Sequence, residues 1–125
     1  MVNAVYKKIE LKNNQTLIIS DLSRKISADA YVVIMKAIIE IKIEKELFSN
    51  DLLSDFKFQD IIAELGDKMI YEFKTERNFI MDKEKDRVFK ELFKTFLDNL
   101  GQYVAKPEFP GKFIIKEYKD RIKQT

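Results

Sequence analysis

Carboxylates and basic side chains are the groups of this chain that could do chemistry, because it contains no histidine and no cysteine. A Ser-His-Asp triad, a thiol nucleophile and a Cys/His zinc site are therefore excluded. Its three scattered glycines cannot form a P-loop or a dinucleotide-binding fingerprint, since both need several glycines at close spacing. What remains is chemistry carried by Asp, Glu, Lys and Arg.

A Glu-x-Lys pattern stands at residues 72–74, within a predicted strand. It resembles a spacing found in one nuclease superfamily, where a carboxylate holds a metal beside a lysine. The same spacing recurs at residues 10–12 and 40–42. A pattern that occurs three times in a Lys- and Glu-rich strand protein favours cross-strand charge pairing over a metal site. We therefore predict no catalytic residue in this motif.

Three acids stand close together at Asp82, Glu84 and Asp86. Hard divalent cations prefer several oxygen ligands, so the group is a candidate metal cluster. Acids at the start of a helix are also stabilised by the helix dipole, and a strong helical pattern begins here. We favour the helix-start interpretation, with Asp82 as the N-cap, and predict no bound metal or cofactor.

Arg77 is the basic residue whose position is unusual, because it falls on the apolar parity of its predicted strand, between Phe73 and Phe79. Either it binds an anionic group, or the strand runs past the layer that covers it. The second interpretation is favoured, since strand ends often escape burial.

Alternating apolar and polar residues predict four strands, at about residues 5–11, 16–25, 31–43 and 68–80, with turns near residues 12–15 and 27–29. The third strand is the clearest, because its odd positions are apolar and rich in β-branched residues. Val32 and Ile34 add apolar groups to its other face. We expect another part of the chain, or another subunit, to cover them.

Helical spacing predicts three helices. Apolar residues between 58 and 65 indicate a short helix that stops at Gly66. A broad apolar stripe follows Asp82 and ends before Pro107, and a last helix begins at Pro110. The predicted fold class is α+β: a four-stranded antiparallel sheet with a short inserted helix, one face covered by two C-terminal helices. A length of 125 residues suits a single domain spanning 1–125.

Charge and hydropathy limit the partners. The net charge of +2 lacks the basic excess typical of a nucleic-acid binder, so we consider nucleic acid an unlikely partner. No run approaches the roughly 20 apolar residues of a membrane span. The first residues lack a signal-peptide pattern, and the absence of cysteine fits a reducing compartment. These observations predict a cytoplasmic protein.

The leading functional hypothesis is a non-enzymatic protein-binding or oligomerisation module, expected to be a homo-oligomer. Phenylalanines and leucines beside acids in residues 46–66 form either a docking surface or a local lid over the core. The candidate interaction surface comprises Val32, Ile34, Phe48, Leu52, Leu53, Phe56 and Arg77.

Two alternatives belong to other classes. One is a carrier of an apolar small molecule held between the sheet and the Phe-rich helix, which a core filled by Phe89, Phe93 and Phe96 would disfavour. The other is an enzyme that acts through carboxylates alone.

The predicted order of elements, four antiparallel strands followed by helices, resembles that of the SecB-type export chaperones, which are tetramers. The segment 46–66 departs from that plan. The resemblance implies a holdase function within the protein-binding hypothesis.

Overall fold

The computed structural model describes residues 4–49 and 56–123. Its strands are β1 (Val5–Glu10), β2 (Thr16–Asp21), β3 (Arg24–Lys25), β4 (Ala30–Lys42) and β5 (Lys68–Met81). Its helices are α1 (Phe58–Leu65), α2 (Lys85–Phe96), α3 (Gln102–Val104) and α4 (Phe109–Ile122). Single 3₁₀ turns occupy Lys45–Leu47 and Asp82–Glu84, and a π turn, Leu97–Gly101, joins α2 to α3. The predicted α+β class is confirmed.

The sheet is antiparallel throughout and runs in the order β1-β2-β4-β5. The predicted second strand, 16–25, is interrupted, because β3 pairs with β4 as a separate two-residue strand. The break lies at Ser23, whose hydroxyl accepts the Ile34 N–H at 2.9 Å while Asp21 Oδ1 accepts the Ser23 N–H at 2.9 Å. A side-chain oxygen thus replaces a backbone carbonyl of the ladder.

One face of the sheet, here called the helix face, carries the main core. The odd residues of β4 between 33 and 41 are fully buried there, together with Leu17 and Ile19 of β2. Each of the four helices contributes buried side chains to the same cluster. Phe89 and Phe96 are buried and Phe93 is half-buried, so aromatic rings fill the space between β4 and α2. This disfavours a carrier cavity at that place.

Helix ends follow local backbone chemistry. The Gly66 N–H bonds to Ile62 O at 2.8 Å and φ at Gly66 is 87°, a value that favours glycine, so the predicted stop of α1 is confirmed. Asp82 is not a side-chain cap. It begins the 3₁₀ turn that precedes α2, and that turn has no side-chain cap hydrogen bond.

The β1–β2 hairpin is fixed to the helical layer by Asn13. Its side-chain amide donates to Val104 O at 2.8 Å and to Lys106 O at 2.9 Å, while its Oδ1 accepts the Gln15 N–H at 3.1 Å. Asn14 takes the left-handed conformation, with φ of 69°, as the turn prediction required. One turn residue therefore joins segments more than 90 positions apart.

A bulge interrupts β5 near its end. Tyr31 pairs with Ile80 and Val33 pairs with Arg77, so Asn78 and Phe79 together stand opposite the single residue Val32. Phe79 has φ of 58°, in the left-handed region that aromatic residues rarely adopt. The bulge ends the regular part of β5.

Candidate interaction surface

The described part of the segment 46–66 packs against the core. Phe48 belongs to the core cluster, and its ring lies 6.0 Å from that of Phe58, edge to face. Phe56 is half-buried, 5.5 Å from the ring of Tyr118, with Lys119 Nζ 5.4 Å from its centroid. Both phenylalanines already have partners within the chain, as expected of a lid. Their role as an interaction surface stays a prediction, and Leu52 and Leu53 lie outside the described residues.

Val32 and Ile34 lie on the sheet face opposite the helices, here called the open face, which carries the even residues of β4. They are only 3% and 7% exposed, although they are not part of the main cluster. Val32 is flanked in register by Arg24 on one side and by the bulge on the other. Neighbouring strands therefore shield these two side chains, and they offer little surface to a partner.

Arg77 is exposed and pairs with Val33 across the ladder, on the helix face, next to the bulge. The sheet thus extends past its helical cover at this point, which agrees with the favoured interpretation. Within residues 4–49 and 56–123, the structure records no ion pair for its guanidinium.

Two of the acids considered for metal binding, Glu72 and Glu84, form ion pairs with basic side chains. Glu72 Oε1 lies 3.3 Å from Lys36 Nζ across the strands. Arg87 donates a hydrogen bond to Glu84 Oε2 at 2.8 Å, which lowers the pKa of that carboxyl below its ordinary value. Among the described residues, no group of three acids is arranged to hold a metal ion.

The open face carries exposed apolar side chains that the sequence interpretation missed. Phe79 is 78% exposed and Ile70 is 49% exposed, and Leu22 and Met81 are also exposed. The register places Leu22 and Met81 beside Ile34 and Ala30, and Ile70 beside Glu40. The sequence could have indicated Ile70, because it is the one apolar residue among the even positions of its strand from 68 to 76, which are otherwise charged. It could not have indicated the exposure of Phe79, because that exposure depends on the bulge.

Charged residues of both signs surround these apolar groups on the open face. The ion pairs Lys36–Glu72, at 3.3 Å, and Glu40–Lys68, at 3.7 Å, link β4 to β5. Such exposed pairs contribute little to stability, on the order of 0–1 kcal/mol each. These pairs therefore border the exposed apolar side chains with positive and negative charges in equal number.

The outer edge of β5 is the second uncovered feature. Ile43 N–H bonds to Asp67 O at 2.8 Å, and bonded pairs recur at every second residue of an antiparallel ladder. The odd residues of β5 up to Arg77 therefore bond to β4, and its even residues from Lys68 to Glu76 point N–H and C=O outward. In the described part of the chain, no backbone partner is recorded for these outward groups.

A cleft of about 570 Å³ lies where the β1–β2 hairpin meets the π turn and is here called the hairpin cleft. Leu11, Leu17, Leu97 and Ala105 line it, and Lys12 and Lys106 also contribute to its wall. Its volume is within the usual range for small-molecule sites. Phe89, Phe93 and Phe96 are not among the residues that line it.

Comparison with known proteins gives no relative. No family model matches the chain, and neither a curated protein nor a solved structure matches it. The likeness to SecB-type chaperones therefore remains one of element order. None of the helices in the described ranges is both long and apolar enough to cross a membrane.

Proposed function

We propose that this protein is a non-enzymatic self-association module in which the open face packs against the open face of a second copy. The observation that carries the proposal is the group of exposed apolar side chains on a sheet face to which no described helix contributes cover. A sheet with one solvated face normally presents polar residues there. Phe79, Ile70 and Met81 break that pattern.

The backbone at Phe79 supports the same conclusion. The left-handed conformation costs a non-glycine residue about 1–2 kcal/mol, and the exposed ring gains no burial in the monomer. Burying a phenylalanine side chain contributes about 1.5–3 kcal/mol. Contact with a partner would therefore offset the strain that the isolated chain carries.

The charges favour a second copy as the partner. The border of the open face contains Lys36 and Lys68 as well as Glu40 and Glu76, so a two-fold axis can bring opposite signs together. The net charge of +2 leaves little overall repulsion between copies. It also offers little attraction to nucleic acid.

The absence of cysteine fits a reducing compartment, and we propose the cytoplasm as the location.

Sedimentation velocity and light scattering from low micromolar to near-millimolar concentration test the proposed interface. The wild type should show a mass that rises with concentration, and the F79N/M81Q variant should associate much more weakly. Asn tolerates the left-handed conformation, so the bulge is preserved. The matched control is Y103Q, which removes another exposed ring, 53% accessible, from α3.

The outcomes separate clearly. A wild type that stays monomeric throughout, or an F79N/M81Q variant that associates like the wild type, contradicts the proposed interface. Weaker association in both F79N/M81Q and Y103Q would also contradict it, because general apolar contacts would then be responsible.

The hairpin cleft favours a second candidate function, binding of an apolar small molecule. A copurified lipid in a native mass spectrum, or uptake of a fluorescent fatty acid, would support it. The L97W variant should fill the cleft and abolish that uptake, while F79N/M81Q should leave it unchanged. Uptake that L97W does not affect would exclude this cleft as the site.

A further inference from the structure

We infer that β5 makes a second self-contact, in which its free outer edge pairs antiparallel with β5 of another copy about a two-fold axis at Phe73. The two sheets then form one continuous sheet. The inference rests on the proposed self-association for the identity of the partner, but it uses the strand edge instead of the open face.

The length of β5 makes this edge available for pairing. The strand has fourteen residues and contains neither glycine nor proline. Its even residues from Lys68 to Glu76 direct N–H and C=O groups outward, and these groups have no recorded backbone partner within residues 4–49 and 56–123. A long edge of this kind is a template for a further strand unless a charge, proline or bulge blocks it. The bulge at Asn78–Phe79 blocks only the last part.

The charges select the register. With the axis at Phe73, near the middle of the regular stretch 68–77, Glu72 stands opposite Lys74 of the second copy, and the symmetry repeats the pair. Ile70 then stands opposite Glu76. Directly opposed opposite charges stabilise a ladder, and directly opposed like charges destabilise it.

Neighbouring registers are less favourable than the one centred on Phe73, because they oppose like charges or include the bulge. An axis at Glu72 opposes that glutamate to itself, and an axis at Lys74 opposes lysine to lysine and Glu72 to Glu76. An axis at Tyr71 opposes Lys68 to Lys74. An axis at Thr75 brings the bulge into the ladder, where its extra residue disrupts pairing. The self-pairing centred on Phe73 opposes no like charges, and it meets the bulge only at the end of the ladder, where Lys68 stands opposite Asn78.

A charge swap tests the pairing directly. K74E makes both symmetric pairs repulsive and should weaken association through the edge by about ten- to thirtyfold. Within the chain it is well tolerated, because residue 74 stands opposite Lys36. The double swap E72K/K74E restores opposite charges across the axis and should restore association. K112E, the same charge change at an exposed position of α4, is the control.

Cross-linking tests the register of the proposed β5–β5 pairing. The chain has no cysteine, so introduced thiols are unique. Bonded antiparallel pairs have Cα atoms about 5.5 Å apart, within disulfide range. A mixture of E72C and K74C chains should form a mixed disulfide under mild oxidation, whereas neither variant alone should cross-link at a comparable rate.

The two contacts predict different masses. Wild type should reach a tetramer, F79N/M81Q an edge dimer and K74E a face dimer. If K74E associates like the wild type, or if the 72–74 mixture fails to cross-link, the edge pairing is refuted while the open-face interface stands. If F79N/M81Q matches the wild type but K74E is weakened and rescued by the swap, the edge pairing stands alone. A strictly monomeric wild type refutes both.

Discussion

Removal of the Asn13 side chain should separate the β1–β2 hairpin from the helical layer. In N13A, the carbonyls of Val104 and Lys106 lose their donor, and the Gln15 N–H loses its acceptor. A net hydrogen bond contributes about 0.5–1.5 kcal/mol, and a part-buried group left unpaired costs more. We therefore expect a loss of about 2–3 kcal/mol in the free energy of unfolding.

Urea unfolding followed by circular dichroism measures that loss, and thermal unfolding should show a fall in Tm of roughly 10 °C for a chain of this length. The N13D variant sharpens the test. It retains the acceptor for the Gln15 N–H but places a carboxylate against two carbonyl oxygens. It should be at least as destabilised as N13A at neutral pH. It should recover stability at low pH, where the protonated group can donate again.

The matched control is N14D, the same chemical change at the exposed neighbour in the same turn. No side-chain hydrogen bond of Asn14 is recorded within the described ranges, so the change in unfolding free energy should stay within about 0.5 kcal/mol. If N13A loses less than that amount, or if N13D shows no recovery on acidification, Asn13 does not hold the two layers together.

Three further predictions concern the fold. G66A should destabilise by about 1–3 kcal/mol in urea unfolding through backbone strain alone, because a Cβ there meets no atom within 4 Å; G101A, at a helical φ, should not destabilise. F96A should cost about 3–5 kcal/mol in the same assay, since this buried ring packs against that of Phe73 at 5.1 Å. Burial, and then the nearby Tyr103 hydroxyl, raises the pKa of Tyr71 above its ordinary 10.0, so stability should decline above about pH 10; a pH series of melts should show a smaller decline for Y71F.

Periodicity was sufficient to predict the main elements. The odd apolar positions of β4 predicted both the strand and its buried face, and the spacing of Phe58, Ile61 and Leu65 with Gly66 predicted α1 and its end. These features depend on neighbours along the chain. The break at Ser23 could not be predicted in this way, because it depends on a hydroxyl that bonds to a different strand.

The candidate surface was harder to predict than the fold. Phe48 and Phe56 lie among acidic neighbours, yet their rings pack against Phe58 and Tyr118, which belong to helices. Parity placed Val32 on the open face correctly, but its burial is set by flanking strands. Exposure is a property of the assembled layers, so alternation within one strand does not reveal it.

The bulge at Phe79 links stability to the proposed association. Asn78, its immediate neighbour, is a residue type that accepts the left-handed conformation, yet the phenylalanine occupies that conformation. In an isolated chain this arrangement both strains the backbone and exposes an aromatic ring. Folding of the monomer gains nothing from either feature. In the proposed assembly the same ring is buried against another copy, and the bulge marks the point where edge pairing of β5 ends. Phe79, whose backbone strain and exposed ring are unfavourable in the isolated chain, is therefore the residue at which the two proposed contacts meet.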